Sequence, residues 1–435
     1  MPRSNTRVRV SDNSSDPELS KSKPSLVTLP VLVLDLIAFQ VANDDKYPNV
    51  VDFSSLSKLC LVCRKLLPSA RRALYYSPFA FAKDDMLPMS FNIRQATGLR
   101  LLYALNFHGG LVRTTSGMPK WFEDFIFEEG PMEGAQGRTE TEEWYLGVLG
   151  LCPLLQHVDY NVATQSIIRA VARAIKPSLP TITSVLVFNE TNSEGSKATF
   201  ATVFKLLATI FKQPLREVIL NCFNMKKGPR TTGLCFPLAV DRLSISMERH
   251  TFCDAAYLPS PAASHPLRHL SYSFGPPPES SKLSTLADRV GSQLESLEIG
   301  AAASLDPIRL SSYGLEHDGM SLPLDSFPLF PQLKLLILHN CRGPSLVFLE
   351  MHLSKSPLLE ELSFEDSCWI SDSDRKSTDP DEIFPDREIL DCFYKFKHLR
   401  KVHLGTLPTT DRSTCQLIQD GSEEMGVVVK FDICE

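Results

Sequence analysis

Four absences bound the chemistry open to this 435-residue chain. There is no His-Glu-x-x-His, no Gly-x-Ser-x-Gly, no Gly-x4-Gly-Lys-Ser/Thr and no Gly-x-Gly-x-x-Gly. Zinc-protease, esterase-elbow and phosphate-cradling centres are therefore not legible. The histidines are dispersed, and His265 and His269 straddle Pro266 instead of sharing a helical face. Cysteine pairing is also missing: the 11 cysteines are odd in number and scattered singly, apart from Cys60 and Cys63. A secreted disulfide framework is not expected, and a reducing compartment with free, mostly buried thiols is. Cys60-x-x-Cys63 has no second pair for a zinc site and lies in an apolar helical pattern, so it reads as packing. Positive charge is not in excess: 45 Lys+Arg stand against 51 Asp+Glu, a net of −6. Such a balance argues against bulk nucleic-acid or anionic-membrane binding. Finally, no apolar run is long enough to span a bilayer. Residues 26–42 come nearest, but the run is short, carries Asp35 at its centre and is separated from the upstream arginines by a polar tract.

What is present is ordinary globular material. Hydrophobic residues make up 43 % and charged residues 22 % of the chain, enough for a sizeable core. Residues 1–25 are polar, Ser- and Lys-rich, and are expected to be a disordered tail. Residues 26–80 predict a compact helical unit. Leu29-Pro30 opens it, Val33, Leu34, Ile37 and Val41 give a helical stripe, and Leu56, Leu59, Cys60, Cys63, Leu66 and Leu67 give a second helix ending in a bend at Pro68. A third, short helix carries Ala70, Ala73 and Leu74.

Residues 81–435 carry a repeat. Its pattern is apolar-x-x-apolar-x-apolar, as in Leu155-Val158-Tyr160, Ile182-Val185-Val187, Leu215-Val218-Leu220, Val240-Leu243-Ile245 and Leu267-Leu270-Tyr272. Further copies are Leu294-Leu297-Ile299, Leu333-Leu336-Leu338, Leu359-Leu362-Phe364 and Leu399-Val402-Leu404, with a weaker one at Leu102-Leu105-Phe107. Between them, Ile168/Val171/Ala172/Ile175, Phe200/Val203/Phe204/Leu207, Leu283/Leu286/Val290, Leu346/Leu349/Leu353 and Ile389/Cys392/Phe393/Phe396 fall at helical spacing. The class expected is α/β: a curved solenoid of stacked strand–helix units with parallel strands, since one unit cannot cover its own apolar face. Three polar inserts interrupt the array, at 113–142, 301–330 and 366–388, the first and last of them acidic. They read as solvated loops, and Trp121, Trp144 and Trp369 lie in or beside them.

Leu29-Pro30, Ile37, the Leu-x-Leu-Val-Cys-Arg run ending at Cys63-Arg64 and the Ala70-Arg71-Arg72-Ala73-Leu74-Tyr75 tail together resemble an F-box of the fungal type. The rest resembles the degenerate leucine-rich repeats that often follow such an F-box. Only Leu333-x2-Leu336-x-Leu338-x2-Cys341 fits the full repeat pattern. The resemblance implies a non-catalytic substrate receptor of an SKP–cullin–F-box ubiquitin ligase, cytoplasmic, nuclear or both, with no cofactor, no metal and an unidentified protein target. Two other readings stay open: a plain repeat scaffold in which residues 26–80 only cap the array, and an unrecognised α/β enzyme.

A small three-helix unit cannot hide all the apolar residues of 26–80. Leu29, Pro30, Val33, Leu34, Ile37, Leu59, Val62 and Cys63 are therefore expected to form a partly exposed surface for the adaptor. Within the repeats, the first, fourth and sixth positions should be buried and the others should line the concave face. Arg268-His269 should then lie beside Glu295-Ser296, and Glu360-Glu361 beside Arg400-Lys401. A target is expected on the last units, through Lys334, Glu360, Glu361, Arg400, Lys401 and His403.

Overall fold

The computed structural model describes residues 28–42, 53–78, 103–115, 146–161, 165–188, 200–221, 239–247, 267–274, 280–301, 327–339, 346–351, 353–364, 386–405 and 412–431. The expected tail at 1–25, the three tryptophans, His265 and most of the three inserts lie outside these residues. The chain divides into two compact units, Met1–Leu74 and Tyr75–Glu435.

The first unit is helical: α1 Val31–Ala42, α2 Phe53–Val62 and α3, which begins at Leu67 and runs to Tyr76. Pro30 starts α1, its carbonyl accepting the Val33 and Leu34 N–H groups at 3.0 and 3.1 Å. Leu34, Ala38 and Ala42, four apart, form the buried line of α1. Ala38 and Ala42 pack with Leu56 of α2 and Ala73 of α3. The second helix is shorter than the sequence pattern suggests. It ends at Val62, and Pro68 sits in the first turn of α3, where its missing N–H has no intrahelical partner to lose.

The second unit is an α/β array. Ten strands form one all-parallel sheet, in the order in which they occur along the chain. They are β1 His157–Asn161, β2 Ser184–Phe188, β3 Leu215–Asn221, β4 Val240–Met247, β5 His269–Phe274, β6 Ser296–Ala301, β7 Leu335–His339, β8 Glu361–Ser363, β9 Lys401–His403 and β10 Val428–Lys430. The helices among them are α4 Gln165–Ala174, α5 Phe200–Ile210, α6 Ser280–Val290, α7 Leu346–Met351, α8 Asp386–Tyr394 and α9 Arg412–Glu424. Register follows the repeat: the fourth positions Val158, Val185, Val218, Leu243, Leu270, Leu297, Leu336, Leu362, Val402 and Val429 are successive partners across the sheet. First, fourth and sixth positions from Ile182 to Leu404 are buried, and they share one core with the inner faces of the helices.

The two ends of the ladder differ from expectation. Residues 103–108 are helical, with Phe107 exposed, so Leu102-Leu105-Phe107 is not a strand. The first rung is instead Val112-Arg113-Thr114-Thr115, inside the stretch expected to be an insert. Thr114 bridges His157 in parallel sense, and Val112 and Thr115 are fully buried. A threonine at the fourth position hides this rung from a hydrophobic pattern; its hydroxyl is satisfied by the Asp159 N–H at 2.9 Å. The Tyr76 carbonyl receives the Arg113 and Thr114 N–H groups at 3.0 and 3.2 Å and so closes the ladder at that end. At the other end, β10 has Gly426 at its first position with φ 73, a left-handed conformation that suits glycine and ends α9. Residues 327–330 remain a loop but are not wholly solvated: Phe327 and Phe330 are buried, and Phe327 meets Phe348 edge to face at 5.4 Å.

Candidate functional site

Two surfaces carry the residues singled out from the sequence. The first is on the helical unit. Among the described residues, Val31, Leu32, Val33 and Leu36 of α1 and Leu61 and Val62 of α2 are large apolar side chains left exposed; Leu36 is 70 % and Leu61 87 % accessible. Pro30 is exposed as well, while Leu29, Ile37, Leu59 and Cys63 are half-buried. Leu34 departs from expectation. At 1 % accessibility it belongs to the inner line of α1, one turn before Ala38, and cannot touch a partner. Leu32, Leu36 and Leu61 were missed because an all-apolar helix such as VLVLDLIAFQVA does not reveal which side faces inward.

One polar side chain pins this unit. Arg72 of α3 donates from Nε to Asp35 Oδ1 at 3.2 Å and also from Nη2, which further reaches Ser69 Oγ at 3.2 Å. Burial raises the pKa of Asp35, but hydrogen bonds from Ser69 and Arg72 and the guanidinium charge outweigh it, so the net shift is downward.

The second surface is the outward row of the ladder. Asp241, Arg268, Glu295, Lys334, Glu360 and Arg400 occupy the second position of six consecutive rungs. Each residue's N–H donates to the carbonyl of the one before, at 2.8–3.0 Å from Arg268 to Arg400. Ion pairs join Arg268 to Asp241 at 2.7 Å, Lys334 to Glu295 at 2.8 Å and Arg400 to Glu360 at 3.9 Å. In the adjoining third-position row, His269 faces Ser296 and Glu361 faces Lys401, whose ammonium is 3.2 Å from the carboxylate. His403 lies at the fifth position of β9, opposite Ser363. The six residues expected to contact a target are thus brought onto three adjacent rungs, and the charges of Lys334, Glu360, Glu361, Arg400 and Lys401 are already answered by neighbours. Glu295 is held below the usual carboxylate range chiefly by its hydrogen bond from Lys334, and Lys334 is raised by the same bond.

The register also assembles a polar chain that the sequence could not show. His157 contacts Asp159 through Nε2 and Ser184 Oγ through Nδ1, the latter at 2.8 Å; Ser184 Oγ in turn donates to Glu217 Oε2 at 3.1 Å. Serine, histidine and aspartate connect here in the order of a nucleophilic triad. The Glu217 carboxylate, however, puts negative charge beside the hydroxyl, where acyl transfer would develop an oxyanion. The arrangement suits a network that ties three rungs together.

Cys152 and Cys392 are packing elements: burial pushes the Cys152 thiol up to about 12 and the Cys392 thiol to about 11. Among the described residues no helix is long and apolar enough to cross a membrane. No protein-family model matches the chain, and no curated protein matches it significantly.

Proposed function

We propose that this chain is the substrate-recognition subunit of an SKP–cullin–F-box ubiquitin ligase. In this reading the helical unit is an F-box that docks an SKP-family adaptor, and through it a cullin. The ladder is a solenoid of degenerate leucine-rich repeats that holds a target protein. Ubiquitin transfer takes place on other subunits, in the cytoplasm, the nucleus or both, and the chain itself carries out no chemistry.

The observation that carries the reading is the apolar surface of α1 and α2. Six large apolar side chains lie exposed on two short helices, next to a core built mainly of alanines and single leucines. A small unit with this much uncovered apolar surface marks a partner site. A second reading, a repeat scaffold unconnected to ubiquitin, rests on a different observation: Tyr76, which belongs to the second unit, closes the first rung through its carbonyl, so the end of the 26–80 stretch forms part of the array.

The test is capture of the full-length chain by a purified SKP-family adaptor, compared with Leu36→Asp/Leu61→Asp. Both leucines are exposed, so the variant is expected to keep its helical circular dichroism and unfolding midpoint while losing capture; charges placed at a buried contact cost several kcal/mol, about what a hot spot contributes. Full capture by a folded double variant would leave the scaffold reading. Leu34→Asp is unsuitable as a probe, because a charge at that buried position unfolds the unit.

A further inference from the structure

The second-position row alternates in sign without a break, so that Glu295 and Lys334 at its centre each have an opposite charge on either side. From Asp241 to Arg400 the signs run minus, plus, minus, plus, minus, plus over six consecutive, backbone-bonded rungs. Arg216, the second position of β3, extends the alternation by one. Neighbouring strands are about 4.8 Å apart, so the six charges span about 24 Å in one line. Arg268, Lys334 and Arg400 are exposed, and the three carboxylates are half-exposed.

A partner surface of one sign would be attracted and repelled at every other rung, so this row rejects uniformly acidic or basic partners. It fits a surface with the same alternation and the same spacing. One such surface is certain to exist: the row on a second copy. Consider a two-fold axis parallel to the strands that passes between the Glu295 and Lys334 rungs. It reverses the row and sets Asp241 against Arg400, Arg268 against Glu360 and Glu295 against Lys334, each contact occurring twice. An axis through a rung sets like charges against each other throughout, which excludes the neighbouring registers. Moving the axis to either neighbouring gap, Arg268/Glu295 or Lys334/Glu360, also matches opposites in this row but leaves two of the six charges without a partner among the six. The chosen axis, at the centre of the six rungs, pairs all six charges with opposites, and in the third-position row it sets Arg242 against Lys401.

We infer that this face is a self-complementary interface, and that two copies of the chain associate through it about that two-fold axis. The inference does not depend on the ubiquitin-ligase reading. A face of six rungs is narrow, well under the roughly 800 Å² per partner of a standard interface, so the dimer belongs to the weak, transient class. Its contacts are exposed charges and are screened by salt within about 10 Å at about 0.1 M.

The experiment is sedimentation of the purified full-length chain over a range of concentrations, at about 0.01 M and about 0.5 M salt. A concentration-dependent dimer at low salt that dissociates at high salt is expected. Arg268→Glu and Glu360→Arg should each weaken association at least about tenfold, because each puts two like-charge contacts in the interface. An equimolar mixture of the two variants should dimerise again, since the carboxylate introduced by the first then meets the guanidinium introduced by the second across the axis. The mixture leaves the broken pairs inside each chain unrepaired, so rescue reports the contact between chains alone. A wild-type monomer at low salt, a salt-insensitive dimer, or folded variants that stay monomeric when mixed would each overturn the inference. Rescue of Arg268→Glu by Glu295→Arg, in place of Glu360→Arg, would overturn the register.

Discussion

The helical unit and the ladder are made of similar residues and treat them in opposite ways. In α1 and α2, leucine and valine are split between a thin inner line and an exposed outer surface. In the ladder, the leucines and valines of the first, fourth and sixth positions are buried, from Ile182 to Leu404 without exception. The reason is neighbours. Each rung has another rung on either side to cover its apolar positions, and even the ends are closed, by the Tyr76 carbonyl and by α9 with β10. Three short helices have only each other. Polarity differs in the same sense: the ladder's outward charges answer one another along rows, whereas the helical unit holds its Asp35–Arg72 pair and leaves its apolar face without polar cover. Exposed apolar surface is therefore informative in the first unit, and charge order in the second.

The sharpest way to break this contrast is to make one substitution in both places. Leu336→Ala removes a fully buried side chain and should destabilise the ladder by about 2–5 kcal/mol in denaturant unfolding. Leu36→Ala should change stability by no more than about 0.5 kcal/mol. Comparable costs at the two positions would mean that the outer face of α1 is covered.

A smaller effect tests how tightly the ladder's first rung is closed. A methyl on Gly109 would lie 1.9 Å from the Leu151 carbonyl oxygen, whereas one on Gly110 meets nothing within 4 Å. Gly109→Ala should cost about 1–3 kcal/mol, since backbone must move to admit it. Gly110→Ala should stay within about 0.5 kcal/mol of the parent. Thermal unfolding of the two single variants distinguishes these outcomes.

The smallest effects are acid sensitivities, one in each unit. Asp35 lies below its ordinary 3.8: burial raises it, and the Ser69 and Arg72 bonds prevail. Glu298 lies below its ordinary 4.5, first through its hydrogen bond with His339 at 3.2 Å, against a raising effect of burial. A carboxylate with a depressed folded pKa stabilises fully above its unfolded value and loses that contribution as pH falls through the folded one. Amide exchange in α1 should therefore accelerate below about pH 3.8 and in β6 below about pH 4.5. Arg72→Met should flatten the first dependence and leave the second; His339→Ala should do the reverse. A variant that flattens both would show that the two units do not respond separately.

Much of the ladder was legible because parallel strands repeated at near-constant spacing must align their fourth positions, and the hydrophobic pattern marks those positions directly. The rungs that escaped are the ones where another residue performs the apolar role. Thr115 is buried through a hydrogen bond, and at the last rung Gly426 takes the first position because α9 must end there in a left-handed conformation. The weak copy at 102–107 matched the spacing by chance, and residues 103–108 fold as a helix. Helix α9 was missed because Gly421 and a polar run blur its face; among its described side chains, Ile418 and Ser422 are the buried ones. The candidate surfaces were less legible than the fold. The pattern correctly placed Glu360-Glu361 beside Arg400-Lys401, because register follows from the repeat. It could not separate Leu34 from Leu36, since an α-helix that is apolar on every side carries no direction of its own.

Sequence alone determined the class of this protein: an α/β chain with a helical N-terminal unit and parallel strands stacked in chain order. Those properties follow from periodicity, which is local and written in residue types. Tertiary structure decided what periodicity does not contain. It chose which side of α1 meets α2 and α3, placed Thr115 and Phe330 in the core, and carried His157, Asp159, Ser184 and Glu217 into one network across three strands. It also set the charges of the second-position row side by side, because only the hydrogen-bonded register brings residues dozens of positions apart to within the reach of a side chain.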